Sequence, residues 1–203
     1  MRRLAAAFSF CCLFALQATA QTAPPAAPPL RLRATVQSVD ATSMTVRERS
    51  GEVVRLALDD KLTVSEVLPI ELSALKAGAY IGTAAMPRPD GTLEAIEVLV
   101  FPESARGTGE GHRPWDLQPG STMTNATVAD LAAAPQGRRL TLAYKDGTKT
   151  LVVPEGVPVV TFKPADRSLL VPGAKVVVTA ELRDGRPTAL RVLAGRDGFA
   201  PPL

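Results

Sequence analysis

The chain repeats itself, and a repeat constrains its fold more than any single motif does. RPDGTLEAIEVL at 88–99 lines up with LRDGRPTALRVL at 182–193, so that Asp90-Gly91 falls on Asp184-Gly185, Ala95 on Ala189 and Val98-Leu99 on Val192-Leu193. Upstream, Leu75-Lys76-Ala77-Gly78 falls on Leu170-Val171-Pro172-Gly173, each followed by an apolar run. The openings match too, Arg33-Ala34-Thr35-Val36 against Asn125-Ala126-Thr127-Val128. Matches in the same order at several places predict one unit used twice, over residues 31–104 and 123–195.

Within each copy the hydrophobic period is two. Thr35–Val39, Met44–Arg47 and Val54–Leu58 alternate apolar with polar in the first copy, and Leu140–Tyr144 does so in the second. Such alternation is that of strands with one face buried. Ser50-Gly51, Asp90-Gly91, Asp146-Gly147 and Asp184-Gly185 lie between the strands, where glycine supplies the positive φ of a hairpin turn. Helical spacing appears only near 66–77, chiefly over Pro69–Gly78, with a weaker counterpart at Pro164–Leu170. Three strands, a short helix and two strands is the order of the five-stranded Greek-key barrel of the OB type. A copy of about seventy residues can close over one modest core. The expected fold is therefore all-β: two tandem small OB-like barrels, each with at most one short helix. A pair of short β-sandwich modules fits the same pattern, because one sequence does not order its strands.

The N-terminus sets the expected address. Met1-Arg2-Arg3, an apolar stretch from Leu4 to Leu16 and the small-x-small Ala18-Thr19-Ala20 form a signal peptide over 1–20, cut before Gln21. Its apolar core is too short for a helical span, which needs about twenty residues. The bulky Phe8-Ser9-Phe10 before Cys11 and Cys12 argues against a lipid-attachment site. Both cysteines of the chain lie in this leader, so the processed chain is expected to hold no disulfide, thiolate nucleophile or cysteine metal site. A Pro/Ala-rich tether follows at 21–30, and residues 196–203 form a short tail. The net charge is +3; without Arg2 and Arg3 it is +1, with 21 basic and 20 acidic side chains. Residues 30–104 carry −3 and residues 105–203 carry +4.

Between the copies runs a Gly-rich connector, residues 105–122, that gathers the only His and only Trp of the chain. It reads RGTGEGHRPWDL from Arg106 to Leu117 and continues Pro119–Asn125. With this connector the chain resembles bacterial exported proteins that carry tandem OB-like β-barrel repeats. The resemblance covers nearly all of the processed chain and implies a fold type and a periplasmic address, but no activity. Some relatives carry a metal-transporter permease label, which a processed chain without an apolar stretch of helical-span length does not support.

The connector supplies the candidate ligand-binding residues: Arg106 and Arg113 as anion clamps, His112, and Trp115 as a stacking surface. The structural reading takes precedence, since a single aromatic at a domain junction ordinarily packs it. Trp115 then wedges the junction, largely buried and with its indole N–H paired, and His112 merely hydrogen-bonds the backbone. Gly107, Gly109 and Gly111 lack the spacing and the following helix of a dinucleotide loop. One His beside scattered Glu110 and Asp116 does not make a zinc site, and Asp59-Asp60 sits in no loop of alternating calcium ligands. No metal and no cofactor is expected. Neither Ser104 nor Ser121 stands in a nucleophile context for His112, and Glu94 and Glu97, three apart on a strand, face opposite sides. An enzyme is not expected. Nucleic acid is argued against by the near-neutral processed chain and by the lack of aromatics on strands two and three of the first copy, where the second offers only Tyr144 and Phe162. The sequence thus points to a non-enzymatic binding or adaptor module for an unknown protein or a small anionic ligand. The alternative is an accessory that hands a metal or small ligand to a transport system.

Overall fold

The computed structural model describes residues 29–203 apart from Gln136; the expected signal peptide and most of the expected tether lie outside these residues. The first copy forms β1 (Leu30–Val39), β2 (Ser43–Glu48), β3 (Val53–Pro69), β4 (Tyr80–Pro87), β5 (Leu93–Ala95) and β6 (Val98–Val100). The connector adds β7 (Gly111–Pro114). The second copy forms β8 (Thr122–Ala134), β9 (Gly137–Tyr144), β10 (Gly147–Pro154), β11 (Val159–Ala165), β12 (Lys175–Arg183) and β13 (Arg186–Gly195). Helix among the described residues is limited to 3-10 turns at Leu72–Ala74, Glu103–Ala105 and Arg167–Leu169. The all-β expectation holds; Leu72–Ala74 and Arg167–Leu169 stand at equivalent places of the two copies, and Glu103–Ala105 lies where the connector begins. None of these helices is long and apolar enough to cross a membrane.

Five strands close into a barrel, β1–β2–β3–β13–β12 and back to β1. Its members come from both copies. β1 runs antiparallel to β12 (Leu32 opposite Val178), and β3 runs parallel to β13 (Leu58 opposite Ala189). The closing hairpin β12–β13 is thus supplied by the second copy, and this barrel does not close within residues 31–104. Five of the remaining eight strands pair in a second cycle with the same exchange: β4 with β8 and β5, β5 parallel to β10, and β10–β9–β8 in sequence. Here the first copy lends β4 and β5. The crossing point is visible in β3, which does not fold back after Leu58. It continues to Pro69, where Val64–Pro69 lies antiparallel to β11.

Packing follows these pairings. One core, with Met44, Val46, Leu56 and Val178 fully or almost fully buried, fills the closed barrel and is plugged by Leu169 and Leu170 of the second copy's helical turn. A second core, including Ile81, Leu140, Leu142 and Leu151, fills the other cycle and is plugged by Leu75 of the first copy. So the plugs travel with the hairpins they precede. A third, smaller cluster joins the halves: Val67, Leu99, Val160, Val177 and Leu203, flanked by Phe101 and Phe162. Phe101 stands edge-on to Phe162 at 5.9 Å.

Candidate functional site

Two β-bulges at equivalent places shape the ground above this third cluster. In the first copy the register passes from Ala85 opposite Ala95 to Gly82 opposite Leu99. The extra residue is absorbed where the N–H groups of Ile96 and Glu97 both donate to the Ala84 carbonyl, at 2.8 and 3.4 Å. In the second copy Ala180 opposite Ala189 passes to Thr179 opposite Arg191. A bulge re-aims the side chain beside it. Glu97 and Arg191 occupy equivalent positions of the repeat, and both line one cleft of about 210 Å³.

The connector forms the wall of that cleft. β7 pairs only with β8, with His112 opposite Thr124 and Arg113 opposite Met123. Strand alternation then separates the neighbours. Arg113, Met123 and Asn125 line the cleft, whereas His112 turns to the other face, where its Nδ1 lies 2.8 Å from Thr124 Oγ1. Burial, then the charges of Lys149 and Arg113, hold the His112 pKa below its ordinary value. Two glycines make the approach feasible. A Cβ on Gly82 would sit 2.8 Å from Asn125 Oδ1 and 3.1 Å from the Phe101 ring, and Gly109 takes φ +57° close against Asn125 Nδ2.

Trp115 is half-buried, with its backbone N–H donated to Ser121 at 2.9 Å. The Arg31 guanidinium stacks over its ring at 3.8 Å, and that of Arg113 lies at 5.4 Å, both within reach of the ring's electrostatic attraction for cations. Asp116 anchors this arrangement by accepting from Arg33 at 2.9 Å and Arg31 at 3.4 Å. Burial pushes the Asp116 carboxyl up, but the Arg33 hydrogen bond and the charges of Arg33 and Arg31 more than offset it, leaving its pKa lowered. The expectation that the indole N–H is paired fails. Trp115 Nε1 is buried without a partner among the described residues, and the ring's contact on its face is the Arg31 guanidinium.

Three buried side-chain polar atoms lack a partner among the described residues: Glu97 Oε2, Trp115 Nε1 and Asn125 Oδ1. All three residues line this cleft. Buried polar atoms are nearly always paired, so each orphan asks for an explanation. Glu97 is fully buried; its Oε1 accepts from the Ala84 N–H at 2.9 Å, and the Thr83 hydroxyl donates to its backbone carbonyl at 2.6 Å. Burial pushes its carboxyl up to about 8, against the pull of the Ala84 N–H and the Arg33 charge, so the group is neutral at pH 7. A groove of about 320 Å³ among Arg33, Arg47, Arg49 and Lys175 contains no such orphan.

Of the residues singled out in the sequence, the structure brings Arg113 and Trp115 into the cleft and leaves Arg106 and His112 out of it. Arg106 is engaged in a two-pronged pair with Glu103 and donates to the Gly78 carbonyl at 2.9 Å. Its work is to tie the connector to the turn before β4. Sequence reading missed Arg31, Glu97, Asn125 and Arg191. A signal for one pair was present: in the aligned copies, EVL at 97–99 falls on RVL at 191–193, a charge directly before the same apolar pair in each. Among the described residues, no three His, Cys, Asp or Glu side chains gather as a metal site requires.

Compared with protein-family models, curated proteins and solved structures, the chain matches none.

Proposed function

We propose that the chain is a non-enzymatic periplasmic binding module, built as two OB-like barrels that exchange their closing hairpins, with a small anionic ligand taken up in the cleft where they meet. One observation carries the reading: the three orphaned buried polar atoms, on Glu97, Trp115 and Asn125, all belong to residues lining that single cleft. A partner that satisfies them removes a desolvation cost of about 1–3 kcal/mol for each. The charge of the cleft favours an anion. Arg31, Arg113 and Arg191 line it, and Glu97 is neutral at pH 7. Concave, mostly apolar ground with a few convergent polar groups is the usual form of a small-ligand site. The apolar part here is Leu99, Phe101, Phe162 and Leu193.

Native mass spectrometry of the protein recovered from the periplasm tests this directly. The mature chain is expected to begin at Gln21 and to carry a small non-covalent companion, which Arg113→Ala abolishes. A chain still bearing residues 1–20 contradicts the address. A bare protein whose melting temperature no small anion raises contradicts the binding role, since any ligand of the folded state must stabilise it.

A further inference from the structure

We propose that the ligand is a small, largely apolar monocarboxylate, such as an aryl or branched aliphatic acid, whose carboxylate is held by Arg113 and Arg191 and accepts a hydrogen bond from the Glu97 carboxyl group. This rests on the cleft being a binding site, as proposed above, and adds the class of occupant.

Size, charge and polarity each narrow the choice. A cavity of 150 Å³ lined by hydrocarbon holds benzene, so the cleft of about 210 Å³ suits a ring with one small substituent. Phe101, Phe162, Leu99 and Leu193 offer the body an apolar bed. A guanidinium matches a carboxylate in shape and charge. Arg113 donates one hydrogen bond to the Gly109 carbonyl at 2.8 Å and has no acidic partner among the described ion pairs; nor does Arg191. Arg31, by contrast, is committed to Trp115 and Asp116. Glu97 Oε1 is occupied by Ala84, so its protonated Oε2 is the atom free to donate. Trp115 Nε1 offers a second donor, and Asn125 Oδ1 is left to select bodies that carry a donor of their own. The charge that bears on Glu97 is that of Arg33 on β1; the other charged groups lining the cleft are Arg31 on β1, Arg113 on β7 and Arg191 on β13, with Asp116 paired to Arg31 and Arg33. Arginines stay protonated in proteins, which leaves Glu97 as the group of this set that titrates between pH 6 and 9.5. His112 lies on the opposite face of β7.

Benzoate is the probe, and the single tryptophan, Trp115, is the reporter. The full processed protein is titrated at pH 6 and pH 9.5, with circular dichroism confirming that each variant is folded. Benzoate should change Trp115 emission saturably at pH 6 and bind at least about ten-fold more weakly at pH 9.5, where Glu97 has lost its proton. Glu97→Gln keeps an acceptor for Ala84 and a donor for the ligand but cannot ionise, and should bind alike at both pH values. Arg113→Ala should abolish binding, and benzylamine and inorganic phosphate should not bind. If phosphate binds and benzoate does not, the carboxylate class is overturned while the cleft stands as an anion site. If no probe moves emission or melting temperature, both fall. If Glu97→Gln loses affinity at pH 9.5 as the wild type does, the hydrogen bond from Glu97 is overturned.

Discussion

At the scale of single residues, Glu97 is where folding and ionisation oppose each other. Its carboxyl titrates near 8 in the folded chain and near the ordinary glutamate value of about 4.3 when unfolded. Between those values the folded state binds more protons than the unfolded one, so stability falls as pH rises from about 4.5 to 8 and levels off above. The slope from this group is at most about 1.4 kcal/mol per pH unit. Urea unfolding of wild type and Glu97→Gln across pH 5–9 should therefore show the variant gaining on the wild type as pH rises, and parallel curves would contradict a neutral Glu97. Trp115 is the second such residue. A fully buried aromatic costs about 3–5 kcal/mol when cut to alanine. Trp115 is only half-buried, and its main contact is the Arg31 stack at 3.8 Å. Trp115→Ala should thus cost no more than about 2 kcal/mol while removing ligand binding. A larger loss in a thermal melt would return the residue to the role of a core wedge.

At the scale of elements, close approach of backbones matters more than strand propensity. Gly82 on β4 leaves no room for a methyl group between Asn125 Oδ1 and Phe101. Gly82→Ala should cost about 1–3 kcal/mol by overpacking and narrow the cleft, read as a lower urea midpoint with unchanged slope. Most strands were legible from alternation, and the Asp-Gly turns from their chemistry. Asp184 and Gly185 both take positive φ, at +50° and +74°, as a tight hairpin between β12 and β13 requires. The second half of β3 was not legible. Residues 66–77 read as helical from the spacing of Ile70, Leu72 and Leu75 ahead of Gly78, which drew in the end of β3 with its buried Glu66. In the fold it is buried but paired, accepting from Arg196 through both oxygens at 2.9 and 3.1 Å, with Lys163 at 3.4 Å. The Arg196 hydrogen bond, against burial and aided by Lys163, holds its pKa down. No local pattern announces a partner 130 residues away. The cleft suffered likewise: Arg113 and Trp115 were found because rare residues crowd the connector, while Glu97 and Arg191 stand out only once the bulges turn them to one place.

At the scale of the whole molecule, the repeat told what the units are but not which strands close them. Because both copies carry the same apolar pattern, β1 can bury the same face against β4 or against β12, and hydrophobicity does not choose. β3 decides it: beyond a register break between Leu58 and Thr63 it pairs with β13 on one side and with β11 on the other, so its barrel closes on the second copy's hairpin. The exchange also explains why residues of both copies line one cleft. A cross-link tests it most directly, since both native cysteines lie in the first twenty residues. Thr35 stands opposite Lys175 in the β1–β12 register, with Lys175 Nζ donating to Thr35 Oγ1 at 2.9 Å, and paired strands hold Cα atoms at disulfide distance. In a copy closed on itself, the repeat alignment puts Tyr80 at the place of Lys175. The exchange predicts that the purified and oxidised Thr35→Cys, Lys175→Cys variant carries an intrachain disulfide in a monomer, seen as faster migration that reductant abolishes. No link in that variant, and a link in Thr35→Cys, Tyr80→Cys instead, would contradict it.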